Sequence, residues 1–182
     1  MRDALVPALL EGLPYTMHDE AIEKAVLKTF LEDRIPGIVC HPTRPCGEGQ
    51  GQLGFGFPLR IGEERVRSSL IVDADQVSGF ITHYEVMDRA VAVTPPSHPG
   101  LEPIAKLGES CGVRLGLIGS AALAAVTGLA YVRPESDLDI LVDAEHGGDV
   151  KAFYKRVTSF SEERGISIDV EMEVENSLGV KL

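Results

Sequence analysis

The sequence predicts an α/β (α+β) protein: a C-terminal sheet with packed helices, preceded by a smaller α+β N-terminal domain. Three observations carry this expectation. Residues 101–174 alternate helix-period and strand-period segments, and glycines follow the helical runs. Thr94-Pro-Pro-Ser-His-Pro-Gly100 places three prolines within five positions, which excludes regular helix or a central strand there. Before that joint, one amphipathic helical pattern is followed by strand-like runs separated by turn residues. The expected domains are therefore 1–94 and 95–182.

In chain order, Ala4–Leu10 is apolar and reads as helix. His18–Arg34 places Ile22, Ala25, Val26, Phe30 and Leu31 at helical spacing and stops at Pro36-Gly37. Gly37–His41 reads as a short strand, Pro42–Gly51 as loop, and Leu53–Leu59 and Ser68–Val72 as strands. Beyond the joint, Leu101–Ser110 reads as helix with Gly112 as its stop, and Val113–Ile118 as strand. Ser120–Thr127 reads as helix with Gly128 just past its end. Asp137–Asp143 reads as strand, with Leu138, Ile140 and Val142 on one face. Asp149–Arg164 reads as helix stopped by Gly165, Ile166–Val174 as strand, Asn176-Ser177 as a turn, and Leu178–Leu182 as a last short strand.

Composition narrows the function. The 182 residues carry 17 basic and 28 acidic side chains, a net charge of −11. Split at the joint, the halves hold 9 basic and 14 acidic, then 8 basic and 14 acidic, residues, so neither is a basic arm. That balance opposes a broad phosphate-tracking surface for nucleic acid, and the absence of Trp removes the best stacking platforms. No apolar run approaches the roughly 20 residues of a membrane helix, and the N-terminus lacks the long apolar stretch of a signal peptide. Three cysteines at irregular spacing do not form a disulfide framework. The expectation is a cytoplasmic protein with reduced thiols that binds neither nucleic acid nor membrane.

The chemistry concentrates in Gly119-Ser120 and Asp137-Leu138-Asp139. Strand alternation puts Asp137 and Asp139 on one face, about 6–7 Å apart. Paired carboxylates repel unless a cation lies between them or one takes a proton. Such hard oxygen ligands suit Mg²⁺, which usually binds one or two carboxylates plus substrate phosphates. Gly119-Ser120 falls at a strand-to-helix turn, where backbone N–H groups meet phosphate and glycine permits close approach. Together they suggest phosphoryl or nucleotidyl transfer. A third carboxylate completes a two-metal clamp; Asp169 is the first choice on the last acidic strand, with Glu171 in reserve.

Gly-Ser followed by Asp-Leu-Asp resembles the nucleotidyltransferase superfamily of the DNA polymerase β type. The longer stretch Leu117–Val142, with Gly119-Ser120, Val126-Thr-Gly-Leu-Ala-Tyr131 and Ser136-Asp-Leu-Asp139, is similar to the malonate decarboxylase holo-acyl-carrier-protein synthase family. That family is also called phosphoribosyl-dephospho-CoA transferase. Ile168-Asp-Val-Glu171 resembles its third acidic strand, and close resemblance spans about 60 residues.

The resemblance implies a nucleotidyltransferase sheet and a specific reaction. A phosphoribosyl-dephospho-CoA group would pass from triphosphoribosyl-dephospho-CoA to a serine of the acyl carrier subunit of malonate decarboxylase, with release of pyrophosphate. Asp137, Asp139 and Asp169 would be catalytic and would hold Mg²⁺, with Asp169 also placed to act as general base. Gly119, Ser120 and Arg133 would hold substrate phosphates. It also implies a chain shorter than a full family member. Two alternatives remain open: another polymerase β-type nucleotidyltransferase acting on a protein or small molecule (antitoxin-like or antibiotic-modifying), or a non-catalytic relative used as a binding module.

Other patterns are assigned no chemistry. Gly49-Gln-Gly-Gln-Leu-Gly54 spells a dinucleotide fingerprint but lacks the strand before it and the helix after it, and reads as a flexible loop. Cys40, His41 and Cys46 fit no zinc spacing. Arg60, Arg65 and Arg67 read as a solvated strand face, with an acidic carrier or the CoA phosphates as the alternative partner.

Overall fold

A computed structural model describes residues 2–143, 145, 147–174 and 178–181. The chain divides into two compact units, Met1–Phe80 and Ile81–Leu182. The division lies upstream of the proline-rich stretch at which the sequence places the joint. The physical reason is a helix, α3 (His83–Ala92), that sequence reasoning left unassigned. Its buried Val86, Met87 and Ala90 belong to the core of the second unit, so the prolines connect two elements inside that unit. The local signal was present: Thr82 and Glu85 form a capping box, in which the Thr82 hydroxyl accepts from the Glu85 N–H and the Glu85 carboxylate accepts from the Thr82 N–H.

In the first unit, a 3₁₀ turn (Arg2–Leu5) leads into α1 (Val6–Glu11), and a second 3₁₀ turn precedes α2 (Glu20–Leu31). Asp19 caps α2 by accepting the Ala21 N–H at 2.9 Å. Strands β1 (Ile38–Cys40), β2 (Gln50–Ile61) and β3 (Glu64–Asp73) form an antiparallel sheet in that order. Phe55 and Phe57 alternate inward on β2, and Phe55 meets Phe30 of α2 edge-to-face at 5.4 Å.

Both long strands extend beyond their apolar cores because cross-strand pairing continues from Gln50↔Asp73 to Ile61↔Glu64, with a register shift between Gly56 and Arg60. The stretch Gln50–Gly54 is therefore strand rather than flexible loop, and no helix follows it. Arg60 stands directly opposite Arg65, and Arg67 opposite Gly56. The three cysteines are free thiols. Burial pushes the Cys40 thiol up from its ordinary value.

The second unit continues through α4 (Leu101–Cys111), β4 (Leu115–Leu117), α5 (Gly119–Thr127), β5 (Leu138–Asp143), α6 (Val150–Arg164), β6 (Ile168–Val174) and β7 (Leu178–Lys181). Helices α4, α5 and α6 each end on a glycine in the left-handed conformation, at Gly112, Gly128 and Gly165. Asp149 caps α6 by accepting the Ala152 N–H at 2.8 Å. The turn expected at Asn176-Ser177 lies outside the described residues. The sheet order is β4-β5-β6-β7; only the β5–β6 pair is parallel.

One face of this sheet is apolar. Leu115, Leu117, Leu138, Ile140, Val142 and Val170 join Ile104 of α4 and Phe153 and Val157 of α6 in the core. The opposite face carries Asp139, Leu141 and Asp143 on β5 and Asp169, Glu171 and Glu173 on β6, by the period-2 alternation of strands. Among the described residues no helix is long and apolar enough to cross a membrane.

Candidate active site

The site grows from the joint between β4 and α5. Ile118 leaves β4 with its N–H donated to the Asp139 carbonyl at 3.1 Å, which ties this joint to β5. Gly119 then turns the chain into α5 with φ +67°, in the left-handed region. A β-carbon there would lie 1.9 Å from Asp139 Oδ2 and 2.7 Å from its Cγ. The Asp139 carboxylate thus occupies the space where any other residue would carry its side chain. Backbone angle and close approach both demand glycine. Ser120 stands in the first turn of α5, and the N-cap residue, Ile118, offers no side-chain acceptor to the first-turn amides.

The acidic residues approach from β5 and β6. Asp137 is exposed and directly precedes the first residue of β5, whereas Asp139 lies within the strand and is half-buried. In the parallel β5–β6 pair, Asp139 is the register partner of Asp169. Their backbones are therefore about 4.8 Å apart with side chains on the same face. Glu171, the reserve candidate, is instead opposite Leu141. The structure brings Gly119, Asp139 and Asp169 to one corner of the acidic face, with Asp137 at its rim. Arg133 lies in the loop between α5 and β5, exposed, with Nη1 3.6 Å from Glu135. Its place beside an acidic neighbour gives it a partner within its own loop.

The far end of the acidic face is built differently, and sequence reasoning missed it. The Tyr84 hydroxyl donates to Glu173 Oε2. The Arg114 guanidinium lies 4.1 Å from the centre of the Tyr84 ring and 3.7 Å from Asp143 Oδ2. Tyr84 and Glu173 are 89 residues apart in sequence, so no local pattern pairs them. Burial, reinforced by Glu173 and Asp143, pushes the Tyr84 phenol above its ordinary value. The neutral phenol is the form the fold favours. Its contribution to stability is complete below the ordinary phenol pKa of about 10 and is lost as pH rises from there through the elevated folded value. An ultraviolet difference titration of wild type against Tyr84→Phe checks this: the component removed by the substitution should ionise above pH 10 or so. A component at or below the ordinary value would contradict the assignment.

Among the described residues, no group of three or more His, Cys, Asp or Glu side chains stands close enough to hold a metal ion by itself. The donor set fits Mg²⁺ in its usual protein setting, in which one or two carboxylates bind the ion and phosphates and waters complete an octahedron. Asp139 and Asp169 supply hard oxygens from adjacent strands, and the cradle at Gly119 fixes one of them against the chain.

A family model of the phosphoribosyl-dephospho-CoA transferase MdcG C-terminal domain matches residues 85–182, more than half of the chain. The match begins inside α3, just after Tyr84, and covers the Gly119–Asp139–Asp169 corner. Curated relatives agree. A phosphoribosyl-dephospho-CoA transferase of Xanthomonas euvesicatoria pv. vesicatoria is 24% identical over 151 residues, covering 80% of this chain and 68% of the relative. One from Bradyrhizobium diazoefficiens is 29% identical over 121 residues, covering 66% of this chain and 52% of the relative. One from Xanthomonas campestris pv. campestris is 25% identical over 115 residues, covering 63% and 53%. The chain thus spans about half the length of the latter two. No solved structure matches. With the matched domain carrying the Gly119–Asp139–Asp169 corner, the chain belongs to the phosphoribosyl-dephospho-CoA transferase family.

Proposed function

We propose that the chain transfers a phosphoribosyl-dephospho-CoA group from its triphosphate precursor to a serine of the acyl carrier subunit of malonate decarboxylase, and releases pyrophosphate. The observation that carries this reading is the Asp139 carboxylate seated against Gly119 and paired in register with Asp169, inside the domain the family model matches.

In this reading the serine Oγ attacks the α-phosphorus of the precursor. The new P–O bond makes a phosphodiester, and the bond to the departing pyrophosphate breaks. The serine proton passes to Asp169 or to water. Asp137, Asp139 and Asp169 would hold Mg²⁺, which when bound neutralises triphosphate charge and lowers the pKa of the attacking hydroxyl. Gly119 lets the Asp139 carboxylate lie against the turn beside the phosphates, and the first-turn amides of α5, including that of Ser120, would donate to them. Arg133 adds a cation at the rim of this site once it leaves Glu135.

The test incubates the full chain with apo acyl carrier subunit, triphosphoribosyl-dephospho-CoA and Mg²⁺. The expected result is a mass gain of one phosphoribosyl-dephospho-CoA unit on one carrier serine, with one pyrophosphate per carrier. Transfer to a small amine or hydroxyl compound or to another protein, with the carrier left unmodified, would replace this reading by a different nucleotidyltransferase.

A further inference from the structure

Asp137 precedes the first residue of β5, so the ladder pairing that fixes Asp139 opposite Asp169 does not include it. We propose that His98, in the proline-rich stretch, is a positioning residue for Asp137. The inference rests on reading Asp137 as a metal-binding carboxylate. His98 is 3% exposed. Its Nδ1 accepts the Gly100 N–H at 3.1 Å, and its Nε2 lies 3.0 Å from the Ser136 carbonyl oxygen. A ring nitrogen that accepts from an N–H carries no proton, so the proton sits on Nε2 and is donated to Ser136.

One buried imidazole therefore ties the start of α4, whose N-cap is Gly100, to the peptide just before Asp137. Ser136 is itself held in a turn. Its N–H donates to the Arg133 carbonyl at 3.0 Å, and its hydroxyl accepts the Arg133 N–H at 2.9 Å. On the other side, the Leu138 N–H donates to the Ser167 carbonyl at 3.0 Å. The backbone is thus pinned on both sides of Asp137, and His98 supplies the pin from α4. A buried histidine with both nitrogens committed to backbone groups positions the chain rather than reacts.

Two substitutions separate the bonds. His98→Gln places an N–H donor near Nε2 and retains the Ser136 contact. His98→Asn places an acceptor near Nδ1, retains the Gly100 contact and abandons Ser136. The readouts are amide exchange across residues 133–138 in metal-free protein and Mn²⁺ affinity of the full chain. His98→Asn should speed exchange there and weaken Mn²⁺ binding by about tenfold each, the value of one lost hydrogen bond, with exchange in α4 unchanged. His98→Gln should stay close to wild type in both.

Wild-type exchange in His98→Asn overturns the inference. So does equal loosening of α4 and residues 133–138 in both variants, and so does faster exchange with undiminished Mn²⁺ affinity. A wild-type protein that binds no Mn²⁺, alongside faster exchange in His98→Asn alone, would instead overturn the metal reading of Asp137 and leave the tie to Ser136 standing.

Discussion

Replacing Asp139 by Asn should abolish transfer and leave the fold intact. The carboxamide fits the same space against Gly119 but surrenders the negative charge. Metal-assisted charge neutralisation contributes several kcal/mol to a phosphoryl transition state. At about 1.4 kcal/mol per decade, its loss should lower the turnover by on the order of 10³-fold. Asp139 is half-buried and its backbone is held by β6 and by the Ile118 N–H, so the substitution leaves the strand pairing in place. Thermal unfolding and turnover measured on the same preparation check both halves of the expectation. Activity within a few-fold of wild type would remove Asp139 from the chemistry.

Replacing Gly119 by Ala should be nearly as damaging, through a different cause. The new methyl would overlap Asp139 Oδ2, so the carboxylate must leave its seat. A displacement of about 1 Å from productive geometry typically costs on the order of 10²-fold in rate. The left-handed backbone angle adds roughly 1–2 kcal/mol of destabilisation. Gly128→Ala supplies the control. Its φ of +71° imposes the same backbone strain, but nothing lies within 4 Å of the added carbon. Gly128→Ala should lose stability and keep activity; Gly119→Ala should lose both. Equal activity in the two variants would mean that the contact between Gly119 and Asp139 is not functional.

What the sequence reveals follows the range of the interactions involved. Helices α2, α4, α5 and α6 are legible because their ends are local: Asp19 and Asp149 start two of them, and Gly112, Gly128 and Gly165 stop three. Helix α3 is as local, with a capping box and with Val86, Met87 and Ala90 at helical spacing, but the prolines that follow it place the expected boundary on its far side. The extension of β2 and β3 is not local. Pairing between the strands, rather than composition, carries them across glycines and arginines.

The site divides in the same way. Gly119, Ser120, Asp137 and Asp139 stand out by type and spacing within one segment. That Asp169 rather than Glu171 faces Asp139 is a register fact, set by the parallel pairing of strands separated by α6. The Tyr84–Glu173 bond and the tie from His98 to Ser136 join residues far apart in sequence, so neither leaves a local trace. The surplus of negative charge acquires a partial account. Among the described residues, five carboxylates line one sheet face: two at the Gly119 corner, two engaged by Tyr84 and Arg114, and Glu171 between them.

The most direct test of the site is a Mn²⁺ titration of the full chain in the presence of pyrophosphate, followed by electron paramagnetic resonance, for wild type and Asp139→Asn. Saturable binding in wild type, strengthened by pyrophosphate and lost in Asp139→Asn, is the expected result. Identical titrations of the two proteins would contradict the assignment of the Gly119–Asp139–Asp169 corner as the place where metal and phosphate meet.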